Sequence, residues 1–124
     1  MTITIFILIM TCVTISALAQ LAMKIGMSGS AVQASIASGI YSDAIVSILR
    51  SPLVVGGLGA YMLGAGIWLF VLSKADLSLV YPFVGIGFIL TMLFGWLFLH
   101  EHIESYRILG TLLIAAGAYL VARS

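Results

Sequence analysis

Apolar residues fill most of this chain, and the few charged residues divide it into four long apolar segments. The 124 residues include five Lys or Arg and four Asp or Glu. Four long apolar stretches contain none of these residues, namely 1–23, 51–73, 77–100 and 108–122. Since a helix needs about 20 apolar residues to cross the bilayer core, and about 17 at the least, the pattern predicts four transmembrane helices. Their expected spans are 2–23, 53–72, 77–99 and 108–121.

The segments that flank and join the spans predict the remaining elements. The fourth apolar segment is short, but its flanking Arg residues can extend to the two interfaces. Residues 27–42 are rich in Ser, Ala and Gly and predict an external loop or a short re-entrant segment. The stretch SDAIVSILRSP has a cap candidate in Ser42 or Asp43 and apolar residues before Pro52. It therefore predicts a short amphipathic helix that lies at the membrane interface.

The expected fold class is an all-α membrane protein. Residues 1–124 form one domain of four transmembrane helices, with a short interfacial helix between helices 1 and 2. The links at 73–76 and 100–107 are short, so helices 2, 3 and 4 are antiparallel neighbours. Two of the five Lys and Arg fall on the side of the termini and three on the other side. With so thin a bias, either the chain inserts both ways or a partner fixes its direction.

Composition narrows the class of protein. Hydrophobic residues make up 63% of the chain and charged residues 7%, whereas a soluble domain is nearer to one half and one quarter. A net charge of +1 gives no nucleic-acid-binding surface, and a single cysteine excludes an intrachain disulfide. SALAQ resembles a signal-peptide cleavage site, but no Lys or Arg precedes residue 24, so we expect helix 1 to be retained.

Helix 1 carries a polar stripe, defined here as Ser16, Gln20 and Lys24. Positions four apart on a helix differ by only about 40° in direction, so the three side chains share a face that rises about 12 Å. In one interpretation the Gln20 side chain forms a hydrogen bond to a neighbouring helix, and Lys24 extends to the membrane interface. In the other, which we favour because polar residues inside a membrane usually serve function, the stripe lines a hydrated groove. No carboxylate lies within a span, so proton-for-cation exchange is not favoured.

Helix 3 contains the stretch LVYPFVGIGF, which places a proline and two glycines near its start. Pro82 removes a hydrogen bond of the helix and predicts a bend. With Gly85 and Gly87 it forms either a hinge for alternating access or a static kink. The Tyr81 hydroxyl is a candidate to face the groove.

Small residues and histidines offer two further patterns. Rows of small residues on helices 2, 3 and 4 predict close helix packing, within the chain for helices 2 and 3, and either within it or between subunits for helix 4. Their members are Gly56, Ala60, Gly64; Gly87, Thr91, Gly95; and Gly110, Gly117. HEHIE at 100–104 lacks the spacing of histidine metal ligands, so we expect no metal. No cofactor motif and no nucleophile–base set is present, so the protein is not expected to be an enzyme.

These residues carry a family resemblance. The four-helix layout and the run from LSLVYPFVGIGF to GTLLIAAGAYLV resemble the small multidrug resistance and drug/metabolite transporter (EamA-like) superfamily. Its drug-exporting branch has an essential glutamate eight residues before the helix 1 lysine, where this chain has Ser16. The polar stripe, the Tyr81–Pro82 pair and the His100–Glu101 pair are similar instead to subunits of the flippase for undecaprenyl-phosphate-linked aminoarabinose.

The resemblance implies a subunit in the bacterial inner membrane that moves a polyprenyl-phosphate-linked sugar between leaflets. It would act as a homodimer, whose two copies could be antiparallel, or as a heterodimer with a similar small subunit. In this hypothesis Lys24, with Arg50 from the interfacial helix, holds the phosphate, and Ser16, Gln20 and Tyr81 bond the sugar. The alternatives are an exporter of cationic compounds of the small multidrug type and a scaffold subunit that transports nothing.

Overall fold

The computed structural model describes all 124 residues and contains helices but no strands. The elements, in chain order, are α1 (Ile3–Met27), α2 (Ser30–Ala37), α3 (Tyr41–Arg50), α4 (Pro52–Leu72), α5 (Leu77–Val80), a 3₁₀ turn (Tyr81–Phe83), α6 (Val84–Phe98) and α7 (Ser105–Ala122).

Four helical segments are long and apolar enough to cross a membrane. They are α1, α4, α7 and the segment from Leu77 to Phe98. This segment, the third span in chain order, consists of α5, the 3₁₀ turn and α6. The predicted fold class, an all-α membrane protein with four spans, is thereby confirmed. α1 continues beyond the expected limit of residue 23 to Met27, which places Lys24 in its last turn. A cation there is favourable because the last carbonyls of a helix carry partial negative charge.

Two short helices, rather than one, connect α1 to α4. α2 forms within the segment expected to be a loop or a re-entrant piece, and its Ala residues have high helix propensity. It ends before Gly39, whose φ of 75° is accessible to glycine at little cost. α3 is the expected amphipathic helix, but it begins at Tyr41 after Ile40 and not with a cap at Ser42 or Asp43. None of its residues is buried, so its apolar face is free to rest on the membrane interface.

α1 is the central helix, packed against α4 along one side and α6 along another. Two glycines allow the close approach of α4. A Cβ atom at Gly57 would lie 2.9 Å from the Ala19 carbonyl oxygen, and one at Gly64 would lie 3.4 Å from the Ser16 hydroxyl oxygen. The row of small residues predicted for the second span, which is α4, is therefore wrong in part. Gly56 faces open space, and its neighbour Gly57 makes the contact with α1.

The apolar core lies beside the N-terminal half of α1. Its buried members are Ile9, Val13, Val71, Val80 and Phe83. They come from α1, from the end of α4 and from the start of the third span, so they join the helices at the side of the termini. The C-terminal half of α1, which carries the polar stripe, also packs closely against α4, through the contacts of Ala19 and Met23 with Gly57.

The third span is interrupted where the sequence predicts a bend. The 3₁₀ turn over Tyr81–Phe83 separates α5 from α6, because Pro82 has no N–H to donate and its ring crowds the preceding turn. The two glycines that follow face other helices. A Cβ atom at Gly85 would lie 2.6 Å from Ile114 Cγ2 of α7, and one at Gly87 would lie 3.3 Å from Val13 Cγ1 of α1.

Candidate functional site along helix α1

The polar stripe faces two adjoining cavities. The first, here the central cavity, holds about 330 Å³ and is lined on α1 by Cys12, Val13, Ser16, Ala17 and Gln20. The second, here the interfacial cavity, also holds about 330 Å³ and is lined on α1 by Ala17, Gln20, Leu21 and Lys24. The two share Ala17 and Gln20 of α1 and Phe88 and Thr91 of α6. The stripe thus runs along both of them, with Gln20 where they meet.

The hydrogen bonds of α1 distinguish the stripe from the other polar residues of the helix. The hydroxyls of Thr11 and Thr14 donate to carbonyls of their own helix, both at 2.8 Å, which satisfies them on a lipid-facing surface. The side chains of the polar stripe (Ser16, Gln20 and Lys24) make no hydrogen bond within the chain. Since no buried polar side-chain atom lacks a partner, the unbonded polar atoms of the stripe are not buried. Gln20 therefore does not bond a neighbouring helix, and the stripe's donors are free to meet water or a ligand in the cavities.

Aromatic side chains form the opposite wall of the central cavity. Tyr81 lines it, as predicted, together with Trp68 and Tyr61 of α4. The Trp68 and Tyr81 rings meet edge to face with centroids 6.5 Å apart, a favourable arrangement of ring quadrupoles. The sequence does not indicate Trp68 and Tyr61 as site residues, because apolar helices carry such aromatic residues at many packing positions.

The charges of the interfacial cavity come from three separate parts of the chain. Lys24 is at the end of α1, Arg107 is in the first turn of α7, and Glu101 is in the link between α6 and α7. No basic nitrogen in the chain lies within 4.0 Å of a carboxylate oxygen, so the three are not paired. Of these three residues, the sequence predicts only Lys24 as a site residue, because Glu101 and Arg107 reach the cavity only through the fold of the link.

The fold of that link is defined by its backbone. His100 adopts a φ of 54°, in the left-handed region that a non-glycine residue seldom adopts. The turn brings the Glu101 amide to the Gly95 carbonyl at 3.0 Å. Arg107 is tied to the same link, since its Nη1 donates to the His102 carbonyl at 3.4 Å. Glu101 and Arg107 are thus positioned together at the cavity.

The structure does not bring Arg50 together with Lys24. Arg50 lines another cavity, of about 650 Å³, between the short helices and the end of α1. The serines at 30, 35, 47 and 51 and Asp43 line it as well. Of the three proposed hinge residues, Gly87 lines the central cavity, Gly85 packs against α7, and Pro82 lies in the 3₁₀ turn.

This arrangement separates two kinds of chemistry along the membrane normal. The central cavity offers neutral hydroxyl and amide groups between aromatic walls. The interfacial cavity offers two cations and one carboxylate at the membrane surface. Together they suit a ligand with a polar, hydrogen-bonding part and a charged part.

Comparison with known proteins gives relatives that include several flippase subunits of one name. The probable 4-amino-4-deoxy-L-arabinose-phosphoundecaprenol flippase subunit ArnE of Aeromonas hydrophila is 34% identical over 73 residues, 59% of this chain and 64% of that protein. The protein of the same name from Pseudomonas aeruginosa is 32% identical over 85 residues, 68% of this chain and 74% of that protein. The matched region thus spans just under two thirds of the Aeromonas hydrophila relative. No family model and no solved structure matches the chain.

Proposed function

Since this chain belongs to the family of ArnE flippase subunits, we propose that it moves a polyprenyl-phosphate-linked aminoarabinose between the leaflets of the bacterial inner membrane. The chain is a multi-pass protein of that membrane. The relatives' name is that of a transport protein and not of an enzyme.

The observation that carries the proposal is the course of the polar stripe along two connected cavities, with its donors unbonded. A lipid of this kind keeps its tail in hydrocarbon, but its sugar and phosphate must cross. A charge at the bilayer centre costs about 3 kcal/mol or more. Donors placed in succession along the path reduce that cost, because each replaces a part of the lost hydration.

Each stripe residue has a role in this proposal. Lys24 holds the phosphate as a point charge, and the position of Arg107 in the same cavity makes it a second phosphate ligand. Ser16, Gln20 and Tyr81 bond the sugar as it passes the central cavity. Arg50, which lines a separate cavity, would attract the phosphate at the membrane surface before it reaches Lys24. Pro82, Gly85 and Gly87 would act as the hinge that opens the path to each side in turn.

We also propose that the chain works as one of a pair. The relatives' name calls each of them a subunit, and a single copy walls its cavities with only three or four helices. The partner is either a second copy or another small chain of the same build. An exporter of cations is less well supported, since α1 has no carboxylate for proton exchange.

The test is lipid translocation in proteoliposomes. The full chain is purified with any subunit it retains, and transfer of the aminoarabinose lipid between leaflets is followed by modification of its amine with an impermeant reagent. We expect Lys24→Ala and Gln20→Ala to slow transfer at least about tenfold, the equivalent of about 1.4 kcal/mol. Lys74→Ala is the matched control, because Lys74 lies at the other end of the spans, beside Phe70. Transfer at the normal rate in both stripe variants would remove the basis of the proposal.

A further inference from the structure

The interfacial cavity contains one group that the transport of a phosphate does not explain. Glu101 places a carboxylate in the same cavity as the two cations, Lys24 and Arg107. We infer that Glu101 binds the protonated amine of the headgroup, while Lys24 and Arg107 bind its phosphate. The cavity would then select lipids whose headgroup carries both charges. This inference rests on the proposed function, because it takes the headgroup from there.

The structure makes room for the Glu101 carboxylate at the cavity wall. A Cβ atom at residue 95 would lie 2.5 Å from Glu101 Oε2 and 3.0 Å from its Cδ. A side chain at this position would displace the carboxyl group from its place against α6. The backbone contributes as well, through the left-handed His100 and the bond from the Glu101 amide to the Gly95 carbonyl. Glu101 is exposed at the edge of the cavity, so its carboxylate is accessible to a ligand there.

The absence of ion pairs leaves these charges available. Neither Lys24 nor Arg107 approaches a carboxylate oxygen within 4.0 Å, although both share the cavity with Glu101. Had the acid served to neutralise the cations, a direct pair would be the expected arrangement. A ligand that carries an anion at one point and a cation at another can instead satisfy all three groups at once.

The carboxylate also acts against the wrong ligand. A lipid with a phosphate but no amine would bring its negative charge next to Glu101 and gain nothing from it. Selectivity commonly depends on such an unfavourable contact as much as on a favourable one. The volume of about 330 Å³ is near the lower end of the range of about 300–1,000 Å³ for small-molecule sites, which fits a sugar phosphate.

The experiment measures equilibrium binding of three lipids to the full chain in detergent micelles. The lipids are undecaprenyl phosphate that carries 4-amino-4-deoxy-L-arabinose, the same lipid with its amine formylated, and undecaprenyl phosphate itself. Formylation removes the positive charge and adds one small carbonyl group. We expect the wild-type chain to bind the amine lipid about tenfold more tightly than the formylated one, a typical gain for a charged hydrogen bond that water partly screens.

Two variants assign that preference to one residue. Glu101→Gln should lower the preference for the amine lipid over the formylated lipid to less than about twofold, mainly because the amine lipid binds more weakly. Glu104→Gln is the matched control: it removes the same charge three residues away, at the start of α7, and Glu104 does not line the cavity. This variant should keep the full preference.

Each contrary result has a distinct meaning. Equal binding of the amine and formylated lipids by the wild-type chain would overturn the inference without any variant, and it would leave the proposed function standing. A preference that survives in Glu101→Gln, or is lost equally in Glu104→Gln, would overturn the role of Glu101. If none of the three lipids binds, the proposed function itself fails, and the inference fails with it.

Discussion

At the scale of single residues, the hydroxyls of α1 separate into two kinds. Thr14 donates to the Met10 carbonyl of its own helix at 2.8 Å, whereas Ser16 has no partner in the chain and lines the central cavity. Replacing Ser16 with Ala should slow lipid transfer about fivefold, the effect of one hydrogen bond of about 1 kcal/mol. Thr14→Ala removes the same chemical group from the same helix and should leave the rate unchanged. Equal rates in the two variants would show that the Ser16 hydroxyl does not meet the headgroup.

The residues of the site differ in how far the sequence reveals them. The polar stripe is visible in the sequence because its spacing of four is a property of one helix. Tyr81 could be proposed because it adjoins Pro82. Glu101 and Arg107 could not, since their position depends on the left-handed His100 and on the way the link folds back against Gly95. Such a turn depends on tertiary contacts that a sequence pattern does not contain.

At the scale of elements, the interrupted third span allows a test of the hinge. Replacing Pro82 with Ala should restore an α-helical hydrogen bond across the 3₁₀ turn. If the break is a hinge, the variant slows lipid transfer about tenfold while its thermal midpoint stays the same or rises. Pro52, the only other proline, stands in the first turn of α4, where proline is well tolerated. Pro52→Ala should therefore leave transfer unaffected. A normal rate in Pro82→Ala would identify a static kink.

The contact between α1 and α4 provides a second test with adjacent glycines. A Cβ atom at Gly57 would lie 2.6 Å from Met23 Cγ and 2.9 Å from the Ala19 carbonyl oxygen. Gly57→Ala should lower the free energy of unfolding by about 1–3 kcal/mol through overpacking. At Gly56 nothing lies within 4 Å, so Gly56→Ala should be neutral or should stabilise by up to about 1 kcal/mol. Unfolding in mixed detergent micelles measures both, and a stable Gly57→Ala would contradict this packing.

The helices themselves were predictable to different degrees. The four spans follow from the spacing of charges, since only an apolar segment of sufficient length can cross the bilayer. α2 was missed because its Ser, Ala and Gly composition suits a loop as well as a helix, and helix propensity decides weakly between them. In the row of small residues predicted for α4, Gly64 contacts α1 but Gly56 does not, and its neighbour Gly57 takes its place; small residues recur so often between positions 56 and 66 that the sequence does not distinguish the two.

At the scale of the whole molecule, the central cavity adjoins the apolar core, since Val13 belongs to the core and also lines the cavity. Ile9 and Val71 are fully buried beside the termini, which fixes the helices there. Beyond Cys12, whose thiol donates to the Gly64 carbonyl at 3.5 Å, α1 lines the two cavities on one face and packs against Gly57 of α4 on another. The packing of α1 on α4 thus supports the helices along their length, while the face of α1 that carries the polar stripe leaves room for a headgroup.

The central claim, that the polar stripe faces an aqueous passage, is tested most directly by thiol accessibility. Cysteines are placed one at a time at positions 16, 20, 14 and 18 in a Cys12→Ala background. Their rates of reaction with a membrane-impermeant thiol reagent are measured in membrane vesicles. Since only a hydrated thiol ionises and reacts, positions 16 and 20 should react at least about tenfold faster than positions 14 and 18. Equally slow reaction at all four positions would contradict the account.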